Sequence, residues 1–192
     1  MTGLAMSRMA LSSMLLLLAL PAAAGEVQAV ETFHATLLDA MRVEDQSARE
    51  RLLEPAIAGL FDVERIAGIS LGRTWRGLNP SQRDEFKALL KTLIAATYAD
   101  RFTGFSGQQF VTDGETQVKT GTVVHTRLMP ADGDAVALDY FMRDGRVFNI
   151  VADGVSDLSL RRADYNSIVK NEGYPALLAH IEAKIRETRS DE

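Results

Sequence analysis

The stretch Ala135-Val136-Ala137-Leu138-Asp139-Tyr140-Phe141-Met142-Arg143-Asp144-Gly145-Arg146-Val147-Phe148-Asn149-Ile150-Val151-Ala152-Asp153 decides the fold. On either side of Asp144-Gly145 the residues read with a period of two, the spacing of a strand whose side chains alternate between faces. Asp-Gly is a pair favoured by a two-residue hairpin turn, because both turn positions need positive φ. The two runs, 135–143 and 146–153, are therefore predicted to be antiparallel neighbours. Val136, Leu138, Tyr140 and Met142 share one face of the first run, while Ala135, Ala137, Asp139 and Phe141 share the other. Apolar side chains stand on both faces. Shorter alternating runs at 109–113, 115–119 and 123–129 precede this hairpin and extend the sheet.

On each side of the strand-forming region the period changes to that of a helix. Val27, Val30, Phe33, Leu37 and Met41 recur at three- and four-residue spacing and predict an amphipathic first helix. Leu52, Leu53, Ile57, Leu60 and Phe61 predict a second, bent near Pro55, and Asp62 caps a short third that Gly72 ends. Asn79-Pro80-Ser81-Gln82 has the form of a helix start: a cap, a proline in the first turn, and a Gln placed to return the hydrogen bond. Phe86, Leu89, Leu90, Leu93, Ile94, Thr97, Tyr98 and Phe102 continue that helix until Gly104 and Gly107 break it. After the strands, Leu158, Tyr165, Ile168 and Val169 restore the helical period up to Gly173, and Leu178, Ile181 and Ile185 carry a last helix. Helices, then strands, then helices define an α+β domain: an antiparallel sheet of four to five strands covered by helices.

The 192-residue sequence opens with Arg8, an apolar run from Met9 to Leu20, and Pro21-Ala22-Ala23-Ala24. A basic start, a leucine-rich middle and a small-x-small exit form a secretory signal, with cleavage expected before Gly25 or a few residues later, after Ala29. The apolar run is shorter than the ~20 residues of a spanning helix. Residues 1–24 are accordingly expected to be removed and 25–192 to form one domain in the periplasm. The leader holds one Arg and no acid, so the net charge moves from −5 to −6 on its removal. Such a balance argues against nucleic acid and against electrostatic docking on anionic lipid. Cysteine is absent, which excludes thiol nucleophiles, disulfides and thiolate metal sites.

No nucleophile elbow, phosphate loop, zinc-protease signature or dinucleotide fingerprint occurs. His34, His125 and His180 are dispersed, with no recognised metal-ligand spacing, so no metal, cofactor or catalytic residue is assigned. Asp139 interrupts an apolar strand and reads either as a carboxylate with a raised pKa in an apolar pocket or as an outward charge on a half-exposed face. Trp75, between Arg73 and Arg76, reads as a cation–π contact, an interfacial anchor or a core residue.

Phe61-Asp62-x-x-Arg65, Leu71-Gly72-Arg73-x-Trp75, Pro80-x-Gln82-Arg83 with Phe86, Tyr98-Ala99, and Val151-Ala152-Asp153-Gly154-Val155-Ser156 follow one another in the order of the MlaC family. Tyr165-x-x-Ile168-Val169 through Gly173 and Ala176-Leu177 continues the match, so the chain resembles these toluene-tolerance-type periplasmic lipid-binding proteins over nearly all of its length beyond the leader. Tyr98-Ala99-x-x-Phe102-x-Gly104-Phe105-x-Gly107-x-x-Phe110 and Arg161-Arg162-x-Asp164-Tyr165 look most like the hopanoid-biosynthesis-associated HpnM branch. Two positions depart from the family pattern. Asn149 stands where Asp is usual, so no role of that Asp is carried over, and Asp144-Gly145 replaces a longer hairpin.

The resemblance implies a curved, nuclear-transport-factor-like sheet with helices folded over a lipid cavity, and no enzymatic activity. It implies passage of phospholipid or a hopanoid-type triterpenoid lipid between an inner-membrane lipid transporter and an outer-membrane acceptor complex, by a monomer. Period and resemblance together nominate Leu89, Leu93, Tyr98, Phe102, Leu138, Tyr140, Phe148 and Ile150 as lipid-binding residues. Two other readings stay open. One is a small secreted lyase or isomerase on the same architecture, with Asp139 and His125 as its acid–base pair. The other is a transporter adaptor that carries nothing, whose apolar residues fill an ordinary core.

Overall fold

The computed structural model describes residues 23–190; the proposed signal segment up to residue 22 lies outside them. Helix α1 (Ala23–Ala40) buries Val30, Phe33 and Leu37, the stripe expected from the sequence. Helix α2 (Gln46–Leu60) begins earlier than its apolar pattern suggests, because the Asp45 carboxylate accepts from Ala48 N and caps it. Pro55 lies inside that helix, and Leu52 is exposed. Helix α3 (Val63–Leu71) is capped by Asp62, which also pairs with Arg65. Gly72 ends it at a φ of 56° and leads into a short helix that the apolar pattern does not signal, α4 (Arg73–Gly77).

The longest helix is α5 (Pro80–Arg101), and its start has the expected reciprocal geometry. Asn79 Oδ1 accepts from Gln82 N at 2.9 Å, and Gln82 Oε1 accepts from Asn79 N at 3.0 Å. Trp75 rests on Gly68 and on Phe86, and the guanidinium over its ring is that of Arg83 rather than of Arg73 or Arg76. It therefore combines the core and cation–π readings, with a different cation.

A five-stranded antiparallel meander follows in the order β1-β2-β3-β4-β5. The runs 109–113 and 115–119, predicted as two strands, are one: β1 (Gln109–Val118), with a bulge that places Asp113 between the paired residues Thr112 and Gly114. A bulge inserts one unpaired residue and interrupts the alternation, so a single strand reads as two. Asp113 gains a partner there, since its carboxylate accepts two hydrogen bonds from Arg127, at 2.6 and 2.7 Å. Strand β2 (Gly121–Met129) leads to β3 (Val136–Arg143) and β4 (Arg146–Ala152). The hairpin between the last two turns on Asp144 and Gly145, both at positive φ, and pairs Arg143 with Arg146. A two-residue strand, β5 (Val155–Ser156), completes the sheet.

Helix α6 (Asp157–Glu172) and α7 (Tyr174–Ser190) close the domain. Helices α1, α2, α3 and α6 contact the sheet, whereas α5 packs chiefly on α2, α7 and α3. Helix α5 is thus held by other helices at a distance from the strands it faces. Among the described residues no helix is long and apolar enough to cross a membrane.

Candidate functional site

The space between the C-terminal half of α5 and the sheet is a cavity of about 560 Å³. Such a volume lies within the roughly 300–1,000 Å³ of small-molecule sites. Helix α5 contributes Ile94, Thr97, Tyr98 and Arg101, with Phe102 just beyond its end. These positions recur at i, i+3, i+4, i+7 and i+8, which is one face of a helix. Strand β3 presents Val136, Leu138 and Tyr140 from its inner face. Phe61, Ile66, Tyr140 and Val147 are nearly inaccessible to solvent, whereas Val155 and Leu160, in the same lining, are 53 % and 61 % exposed. Burial therefore runs from a closed floor to a mouth bounded by the end of α5 and the β5–α6 corner.

Strand β4 supplies Val147, Phe148, Asn149 and Ile150 in succession. Strict alternation would send every second residue to the other face. The register shift between Phe141 and Met142 leaves Phe148 opposite no residue of β3 and breaks that alternation, and all four residues border the cavity.

Of the eight residues nominated from sequence, Tyr98, Phe102, Leu138, Tyr140, Phe148 and Ile150 line the cavity. Leu89 and Leu93 do not: Leu93 is buried in the core, and Leu89 packs partly buried against it. At about 100° per residue, they lie roughly 150° and 110° round α5 from the centre of the lining face. Because α5 is covered by helices on several sides, its apolar surface is wider than the face that meets the cavity, and period alone merged the two. The sequence reading missed Phe61, Ile66 and Val147 on the floor, whose spacing is that of ordinary core. It also left out Asn149 and Arg161, although both had been noted in the motifs.

An aromatic wall joins the cavity to the core. Tyr98 stacks on Phe102 at 5.5 Å and meets Phe33 edge-on at 5.4 Å, and Phe102 approaches Phe110 at 6.2 Å. Below Tyr140, His34 Nε2 lies 3.0 Å from the phenol oxygen and its ring stacks on Phe110. Burial pushes the His34 imidazole down from 6.5 to about 4 and both tyrosine phenols above their ordinary range. All three stay neutral near pH 7, so His34 and Tyr140 share a hydrogen bond without placing charge against the apolar floor.

The polar groups gather toward the mouth. Asn149 Oδ1 accepts from Ser156 Oγ at 3.0 Å and from Leu158 N at 3.2 Å, while Ser156 Oγ accepts from Ser159 N. Asn149 thereby fixes the start of α6 against β4, a task that needs only a side-chain oxygen. Arg101, Arg161 and Asp157 are the charged part of the lining, and Thr97, Thr103 and Gln108 add uncharged polar groups.

His125 and Asp139 meet elsewhere. They are paired across β2 and β3, with Nδ1 2.8 Å from Oδ1, and Thr116 Oγ1 lies 3.0 Å from the other imidazole nitrogen. Asp139 alternates with the cavity-lining Leu138 and Tyr140, so this trio is on the opposite face of the sheet, with His125 and Asp139 side chains 39 % and 37 % exposed. Asp139 is thus an outward carboxylate. Among the described residues no three metal-ligating side chains cluster.

Residues 28–183 match the model of the MlaC protein family. No protein of the curated set matches the chain. Among solved structures, a phospholipid-binding protein from Ralstonia solanacearum, determined in complex with a phospholipid, superposes with a TM-score of 0.72. The two are 22 % identical, and the superposition covers 87 % of this chain and 98 % of the other, so they share a fold.

Proposed function

Because the chain belongs to the MlaC family, we propose that it is a periplasmic lipid carrier. It encloses the tails of one phospholipid or hopanoid-type lipid and moves it between an inner-membrane transporter and an outer-membrane acceptor. The observation that carries the reading is the cavity, an apolar floor beneath a polar mouth with α5 held clear of the sheet. That the structurally similar Ralstonia protein was determined with a phospholipid supports the ligand class.

The energetics explain why enclosure is needed. Two acyl chains of about 30 methylenes cost roughly 24 kcal/mol to expose to water, at ~0.8 kcal/mol each. A membrane buries tails equally well, so loading and release need only a small difference in affinity. An adaptor with a filled core would have no use for the cavity. The lyase reading loses support for a different reason: His125 and Asp139 do meet, but on the sheet face opposite the cavity.

The test is lipid transfer between donor and acceptor vesicles by wild type, His125→Gln and Asp139→Asn, with the lipid analysed chemically in the same samples. All three proteins are expected to move unaltered lipid at similar rates. Altered lipid made by wild type and lost in either variant would replace the carrier with an enzyme, because loss of a general acid or base lowers a rate by roughly 10²–10⁴-fold.

A further inference from the structure

Arg161 is the charged residue of the cavity lining that keeps a buried donor without a partner. It projects from the second turn of α6 with its side chain 13 % exposed. Nη1 donates to Tyr165 Oη at 3.2 Å and Nη2 to Asp157 Oδ2 at 3.0 Å. Its Nε is buried and makes no hydrogen bond. A guanidinium carries five N–H donors in one plane, so beyond the two bonds to Tyr165 and Asp157 the remaining Nη hydrogens can serve an acceptor in the cavity, while the buried Nε–H stays unmatched. Leaving such a charged donor unmatched is unfavourable, and a buried group of this kind calls for a partner.

The surroundings give the sign of that partner. Arg101 shares the lining, and Asp157 is the one acid there among the described residues. Two guanidiniums against one carboxylate leave one positive charge locally, in a chain whose overall charge is negative. Arg161 and Asp157 lie 3.0 Å apart on α6, and Arg101, in the last turn of α5, borders the same cavity. Arg161 also sits at the right depth. Leu158, one turn before it, is 8 % exposed, and the adjacent Leu160 is 61 % exposed.

Building on the carrier reading, we propose that Arg161 is a specificity-determining contact for a singly charged oxyanion at the head of the cargo, with Arg101 as the second cation. The chemistry is that of a phosphodiester or a carboxylate, both of which accept bidentate hydrogen bonds from a guanidinium. Tails then run toward Phe61, Ile66 and Val147, and the anion stops where apolar lining gives way to arginine. A neutral lipid of the same tail length, or an uncharged triterpenoid, would leave Arg161 unmatched.

The experiment loads delipidated protein with an equimolar mixture of dioleoylphosphatidylglycerol, oleate and dioleoylglycerol and reads retained ligand by native mass spectrometry. Wild type is expected to favour the phosphatidylglycerol over dioleoylglycerol by roughly 10- to 100-fold, the range of a charge-assisted hydrogen bond. Retention of oleate at the same preference assigns the site to oxyanions in general, and its exclusion narrows it to the phosphodiester. Arg161→Gln is expected to abolish the preference while holding dioleoylglycerol as wild type does. Arg161→Lys, which keeps a cation beside Asp157 but loses the planar fork, should be intermediate and stands in if Arg161→Gln does not fold. Equal retention of charged and neutral lipid by wild type overturns the proposal and leaves the carrier intact, as does an Arg161→Lys variant that weakens all three ligands alike. Retention of none of them overturns the carrier reading and this one with it.

Discussion

His34 Nε2 lies 3.0 Å from Tyr140 Oη, tying α1 to the strand that floors the cavity. His34 is 3 % exposed, and burial lowers the pKa of its imidazole from 6.5 to about 4. Below pH 6.5 the unfolded chain takes up a proton that the folded chain refuses, so stability is full above 6.5 and falls as pH approaches 4. The loss is about 1.4 kcal/mol per pH unit, roughly 3 kcal/mol in all. Denaturant titrations at pH 7 and pH 4.5 should show it, and His34→Leu should flatten the difference. An unchanged pH slope in His34→Leu would remove His34 as the cause.

Ile150 lines the cavity and Leu93 is buried outside it, so the same substitution should act differently at the two sites. Ile150→Trp is expected to occupy cargo space, reducing lipid retention with little loss of stability. Leu93→Trp overpacks a filled region and should cost ~1–3 kcal/mol while lipid retention persists. Melting curves and bound-lipid mass on both variants decide it, and the reverse pattern would misplace the cavity.

Gly121 opens β2 at a φ of +141°, and a Cβ there would sit 2.0 Å from the Met142 carbonyl oxygen. A backbone atom in a central strand pair cannot step aside as a side-chain end can. Gly121→Ala should therefore destabilise by about 3 kcal/mol or more, combining backbone strain with a steric clash. A variant with wild-type thermal stability would mean that the β2–β3 register differs from the one described.

The hairpin at Asp144-Gly145, the caps at Asp62 and Asn79, and the inner-face set Leu138 and Tyr140 were legible because each rests on local chemistry: turn φ values, side-chain capping, strand alternation. Features that depend on partners were not. One strand read as two across the Asp113 bulge, since pairing alone reveals the extra residue. Leu93 and Ile94 are neighbours with the same chemistry, and only the helices packed around α5 determine that one is core and the other cavity wall. Arg161 was visible as part of a motif, but its unmatched Nε is a property of the packed structure.

The most direct measurement is native mass spectrometry of the protein purified under gentle conditions from the bacterium that produces it, followed by solvent extraction. The account predicts a protein mass starting near Gly25 plus one bound lipid, released chemically unaltered. A protein that leaves the cell with an empty cavity, and binds no lipid when offered vesicles, would contradict it.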